Sequence, residues 1–80
     1  MSSDTTTTTR LIALAAARFG KHAKHLSPGD DLFDALGIDS LQAMDLLTDL
    51  EETFDIEVPD YELQDARTFA ALAAVIEARL

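Results

Sequence analysis

Eighty residues allow one domain with a single modest core, because a chain this short buries a smaller share of its surface than a longer one, so no deep catalytic cleft is expected. A composition 48% hydrophobic with three Gly and two Pro suits a compact helical domain rather than disorder, and the lack of Cys excludes disulfides, thiolate metal sites and an encoded cysteine nucleophile. The formal net charge of −9 is unevenly placed, with thirteen Asp or Glu and no Lys or Arg between His25 and Ala66; such a surface repels nucleic-acid phosphates and anionic lipids, and it either steers towards basic protein surfaces or simply keeps the exterior solvated.

Residues 1–9 read as a flexible polar tail, and residues 10–80 as a single domain. The Thr5 to Thr9 run disfavours helix through its β-branched side chains, yet its hydroxyls can cap one, so a first helix starts within or just after it. Leu11, Ile12, Leu14, Ala15 and Phe19 recur at helical spacing, and Gly20 offers a stop. From Lys21 to Gly37 the signals are mixed: an extra turn through His25, the breaker Pro28-Gly29, then Leu32, Phe33 and Leu36 to pin a long connection to the core. Ala43, Leu47, Leu50 and Phe54 fall at i, i+4, i+7 and i+11, which predicts a second helix over 40–54 with Asp45, Asp49 and Glu52 on another face. After the break at Val58-Pro59, Asp60 can cap a short third helix through Asp65. Thr68 can cap a last one that buries Phe69, Leu72, Ala73 and Ile76. The expected fold is all-α: a small antiparallel four-helix bundle with a long loop between helices 1 and 2 and a short helix 3.

No stretch reaches the apolar length needed to span a bilayer, and the start lacks the basic region of a signal peptide, so a cytoplasmic protein without a membrane span or a nucleic-acid partner is expected. Ser40 has Asp39 beside it but no His in the same segment, and His22 and His25 lie far upstream without a third ligand. Asp30, Asp31 and Asp34 are interleaved with apolar residues where a calcium loop needs oxygen ligands. No catalytic residue and no metal site are therefore expected. Gly37-Ile38-Asp39-Ser40-Leu41 reads as a turn into a helix N-terminus with Asp39 or Ser40 as cap. A hydroxyl there faces unpaired N–H groups and the positive end of the helix dipole, a favourable place for an added phosphodiester.

Leu36-Gly37-Ile38-Asp39-Ser40-Leu41 resembles the modification motif of acyl carrier proteins, and Leu50-Glu51-Glu52-Thr53-Phe54-Asp55-Ile56-Glu57-Val58-Pro59 resembles the acidic end of that family's second helix and the loop after it. The order of elements over residues 10–80 is similar too. The resemblance implies a 4′-phosphopantetheine arm, taken from coenzyme A by a magnesium-dependent phosphopantetheinyl transferase and attached to Ser40, with Gly37, Asp39 and Leu41 completing the motif. Its terminal thiol would let a chain without Cys carry acyl thioesters. Ser40 would be an attachment point rather than a nucleophile that this chain activates, and Asp39 would help orient the site or the metal during transfer. Leu41, Met44, Asp45, Asp49, Glu51 and Glu52 would form the face read by partners: the transferase, an acyl- or aminoacyl-loading ligase or transferase, and synthase enzymes with basic docking patches. A monomer serving a fatty acid, polyketide or specialised pathway is expected. The alternatives are an aminoacyl or peptidyl carrier, a non-covalent acidic adaptor for which Ser40 is only a cap, and, more remotely, a small hydrolase. Thr48, Asp49 and Ala66, and the run Gln42-Ala43-Met44, depart from the fatty-acid-synthesis pattern and point to a short or polar cargo with little shelter in the bundle.

Overall fold

The computed structural model describes the backbone from residue 3 and the side chains from residue 7 to the end of the chain. Five α-helices follow in order among the described residues: α1 (Ser3–Phe19), α2 (Leu32–Leu36), α3 (Ser40–Phe54), α4 (Glu62–Asp65) and α5 (Phe69–Ala78), with a 3-10 turn at Ala23–His25. Among the described residues there is no strand, only an isolated bridge between Asp31 and Thr68. The expected all-helical bundle is thus present, with one more short helix, α2, inside the long connection.

Helix α1 begins at Ser3, within the segment read as a polar tail, while residues 1 and 2 lie outside the described ones. The reason lies in burial: Thr7 stands one helical turn before Leu11 and two before Ala15, and all three are buried. The same stripe that packs the middle of the helix therefore reaches back into the Thr run, and packing overrides the weak propensity of Thr. At its other end Gly20 takes φ +68°, and the Lys21 N–H donates to the Ala16 carbonyl at 2.8 Å, closing the helix as the sequence predicts.

The core is a single cluster to which α1 gives Leu11 and Ala15, α3 gives Ala43, Leu46, Leu47 and Leu50, and α5 gives Phe69, Leu72 and Ile76. Helix α1 packs most extensively against α5. The Thr68 hydroxyl accepts from the Ala71 N–H at 3.0 Å and caps α5 as expected. Asp60 does not cap α4. That helix starts at Glu62, with Tyr61 in the cap position and no side-chain bond; the N–H groups of Glu62, Leu63 and Gln64 donate instead to the carbonyls of Pro59, Asp60 and Tyr61, each at 3.1 Å. Tight i to i+3 bonds satisfy the donors that a side-chain cap would have served.

The long connection is held at one point. Asp31 Oδ1 accepts from the N–H groups of Phe33 (2.9 Å) and Asp34 (3.2 Å), capping α2, while Oδ2 accepts from Arg67 Nε at 3.0 Å. The Leu32 N–H donates to the Arg67 carbonyl at 2.7 Å, and the Ala70 N–H donates to the Pro28 carbonyl at 2.8 Å. The Arg67 guanidinium beside Asp31 holds its carboxyl below the usual carboxylate range, with the two N–H groups assisting and desolvation opposing. Because the folded pKa lies below the unfolded one, the stabilisation is fully present above about pH 4 and is lost as pH falls through the lower folded value. Urea unfolding midpoints followed from pH 5 downwards should fall less steeply for Asp31→Asn than for the unmutated protein. Parallel curves would assign the acid sensitivity to other carboxylates.

Candidate functional site

Two helices meet almost end to end at residues 37–39. Gly37, at φ +66°, ends α2, its N–H and that of Ile38 both turning back to the Phe33 carbonyl. A side chain at that φ would be strained. Asp39 then caps α3: its Oδ1 accepts from the Gln42 N–H at 3.0 Å, and Gln42 Oε1 accepts from the Asp39 N–H at 3.2 Å, a reciprocal capping box. The cap is Asp39, not Ser40.

Ser40 is consequently relieved of any structural task. It is the first residue of α3, exposed, and its hydroxyl has no hydrogen-bond partner among the described residues. The N–H groups of Ser40 and Leu41 also lack an acceptor there, so the hydroxyl sits at the positive end of a fifteen-residue helix beside free donors. Alongside lies a surface groove of about 220 Å³ between α3 and the α4 region, lined by Ser40 and Met44 on one side and by Tyr61, Gln64, Arg67 and Phe33 on the others. Among the described residues no three His, Cys, Asp or Glu side chains converge in a way that could hold a metal ion.

The six side chains expected on the partner face separate into two groups. Leu41 (73% exposed), Met44 (41%), Asp45 and Glu52 are open to solvent along one side of α3. Asp49 lies at the flank of that side in an ion pair with Arg18 of α1. Glu51 is turned inward, where its Oε2 accepts from the Val58 N–H at 2.9 Å and fixes the loop after α3. Thr48 is exposed, and its hydroxyl donates to the Met44 carbonyl at 3.1 Å. Thr48 and Asp49 therefore put no polar wall into the bundle, and that part of the argument for an unsheltered cargo falls away; Ala66 alone of the three is buried. Sequence reasoning missed the Arg67–Phe33 pair at the groove. Only the end of the cation-free stretch at Arg67 could have drawn attention to it.

The family model described as the phosphopantetheine attachment site matches residues 9–76. An acyl carrier protein of Syntrophobacter fumaroxidans is 34% identical over 59 residues, covering 74% of this chain and 73% of that protein. Acyl carrier proteins of an Exiguobacterium species (34% over 65 residues, 81% and 82% covered) and of Helicobacter hepaticus (33% over 66 residues, 82% and 87% covered) are similarly close.

The chain belongs to the acyl carrier protein family. Acyl carrier proteins hold cargo rather than transform it, and membership implies a covalently attached 4′-phosphopantetheine. The residues present fit that group: an unengaged hydroxyl, free N–H donors of a helix N-terminus next to it, and a groove beside it with both apolar and polar walls.

Glu51 offers a test of the division within α3. Glu51→Ala leaves the half-buried Val58 N–H without an acceptor and should cost about 1–3 kcal/mol in urea unfolding, whereas Glu52→Ala should stay within about 0.5 kcal/mol. Equal effects would return Glu51 to the partner face.

Proposed function

We propose that Ser40 is the attachment point and that this acyl carrier protein presents acyl intermediates, as thioesters on the arm, to the enzymes of a fatty acid, polyketide or specialised biosynthetic pathway. The observation that carries the reading is the free hydroxyl of Ser40 at the start of α3, made available because Asp39 and Gln42 do the capping. A phosphopantetheinyl transferase joins Ser40 Oγ to the phosphorus that bears the pantetheine of coenzyme A, the P–O bond of the pyrophosphate breaks with its electron pair leaving on 3′,5′-ADP, and the hydroxyl proton passes to a base of the transferase. This chain supplies the oxygen, the oriented backbone donors and the docking surface. The catalytic groups belong to the partner.

A capping box that excludes Ser40 makes the variant at this position informative. Ser40→Ala should keep stability within about 0.5 kcal/mol, since no cap is lost, yet gain no mass when incubated with transferase, magnesium and coenzyme A. Mass gain in the variant would move the site elsewhere. An acidic adaptor without an arm predicts no gain in the unmutated protein either.

Partner recognition follows from the open side of α3. Leu41 and Met44 offer apolar contact near Ser40, and Asp45 and Glu52 offer charge further along. Solvent-exposed charges of this kind act mainly on encounter rate and are screened by salt. Charge reversal at Asp45 or Glu52 should lower transferase kcat/KM by about threefold to tenfold at low ionic strength, and salt should narrow the gap. Reversal at Asp49, already paired with Arg18, should do less to the rate and more to stability. A rate indifferent to Asp45→Lys, Glu52→Lys and salt alike would make that face merely solvated surface.

A further inference from the structure

Arg67 is the one cation among the groove's lining residues, and it is held in place from three directions. Its carbonyl accepts from the Leu32 N–H, its Nε donates to Asp31 Oδ2, and its guanidinium lies 4.4 Å from the centroid of the Phe33 ring. The two terminal nitrogens of the guanidinium have no acceptor among the described residues. The other arginines are engaged elsewhere: Arg10 over Phe54, Arg18 with Asp49, Arg79 with Glu62. A stacked and ion-paired guanidinium has already lost most of its rotamer freedom, so hydrogen bonds from its open edge cost little further ordering.

We infer that Arg67 is an anion-reading residue for whatever Ser40 bears: its open edge binds an oxyanion that lies back in the groove, with the Tyr61 hydroxyl and the Gln64 amide as neutral donors beside it. The inference rests on the assignment of Ser40 as attachment point. Planar paired donors match a carboxylate or a phosphate oxygen pair, and the groove's mixed walls suit a chain that is apolar with a charged or oxygenated end. Asp31 and Asp60 stand close by with the opposite charge, so a free anion gains little there. A tethered anion is different, because attachment at Ser40, which lines the same groove, raises its effective concentration to about the millimolar range. The selectivity is therefore for ligands delivered on the chain's own arm. Two such oxyanions exist, the phosphodiester at the root of the arm and a carboxylate at the end of a dicarboxylic cargo.

The test uses intact protein in three forms, each verified by mass: bearing the arm alone, a butyryl thioester, and a succinyl thioester, which has the same four carbons but ends in a carboxylate. Absence of the mass gain would be a failure of the Ser40 assignment and is seen before any other reading. If the phosphodiester is the partner, its phosphorus resonance in the unmutated protein shifts on Arg67→Gln, with Arg67→Lys intermediate, and the two thioesters melt alike. If the cargo carboxylate is the partner, the succinyl form melts about 4 °C or more above the butyryl form, and Arg67→Gln abolishes the difference. Each midpoint is compared within one variant, which cancels the loss of the Asp31 and Phe33 contacts. The comparison of thioesters in the unmutated protein stands even if Arg67→Gln does not fold. An unmoved phosphorus resonance in Arg67→Lys together with equal melting of the two thioesters overturns the proposal.

Discussion

A chain of this size has one core and a long connection, helical only at Ala23–His25 and Leu32–Leu36, between its first and second long helices, and the carboxylate of Asp31 helps to keep that connection in register. One oxygen caps α2, the other holds Arg67, and the neighbouring backbone joins Leu32 to Arg67 and Pro28 to Ala70. Leu32 and Leu36 can then reach the core beside α3 and α5. Gly37 and the start of α3 follow directly on that fastened segment. The Asp31 carboxylate shares the task with the Leu32–Arg67 and Ala70–Pro28 backbone bonds and with buried Leu32 and Leu36, and the turn before Ser40 is rooted in all of them.

Asp31 also couples shape to chemistry. The residue that fastens the connection is the residue that orients the groove's only lining cation, so the stability of the loop and the character of the groove are not separable by evolution one at a time. Glu51 shows the same economy: a carboxylate in a strongly acidic helix is used to close the following loop at the Val58 N–H, while its neighbour Glu52 remains in solvent. Acidic residues here divide into those that satisfy backbone donors and those that set the surface field.

Helix α3 could be read from residue 40 to residue 54 because apolar spacing, a capping pair and a terminal break all agree there, and Thr68 and Gly20 mark their helix ends by the same local chemistry. The start of α1 could not, since Thr propensity argues against helix and only the burial of Thr7, one turn before buried Leu11, reverses it. Asp60 failed as a cap because backbone bonds reached the same donors first. At the site, the motif around Ser40 is local and could be read directly. Whether Asp49 and Glu51 face outward depends on Arg18 and Val58, and the Arg67–Phe33 stack joins residues far apart in sequence, so spacing within one helix could not supply these facts.

The open side of α3 is not uniform along its length: bare hydrocarbon at Leu41 and Met44 comes first, charge begins at Asp45, and it reaches Glu52, eleven residues beyond Leu41 and about 16 Å away at the rise of an α-helix. Such a surface has a head and a tail. An enzyme whose own apolar notch and basic patch are spaced to match can seat the carrier in one sense only, and turning the carrier end for end would set charge against the notch. On the proposed reading of that side as the partner face, polarity along a single helix would act as a compass, turning the serine end of the carrier towards the mouth of the receiving enzyme.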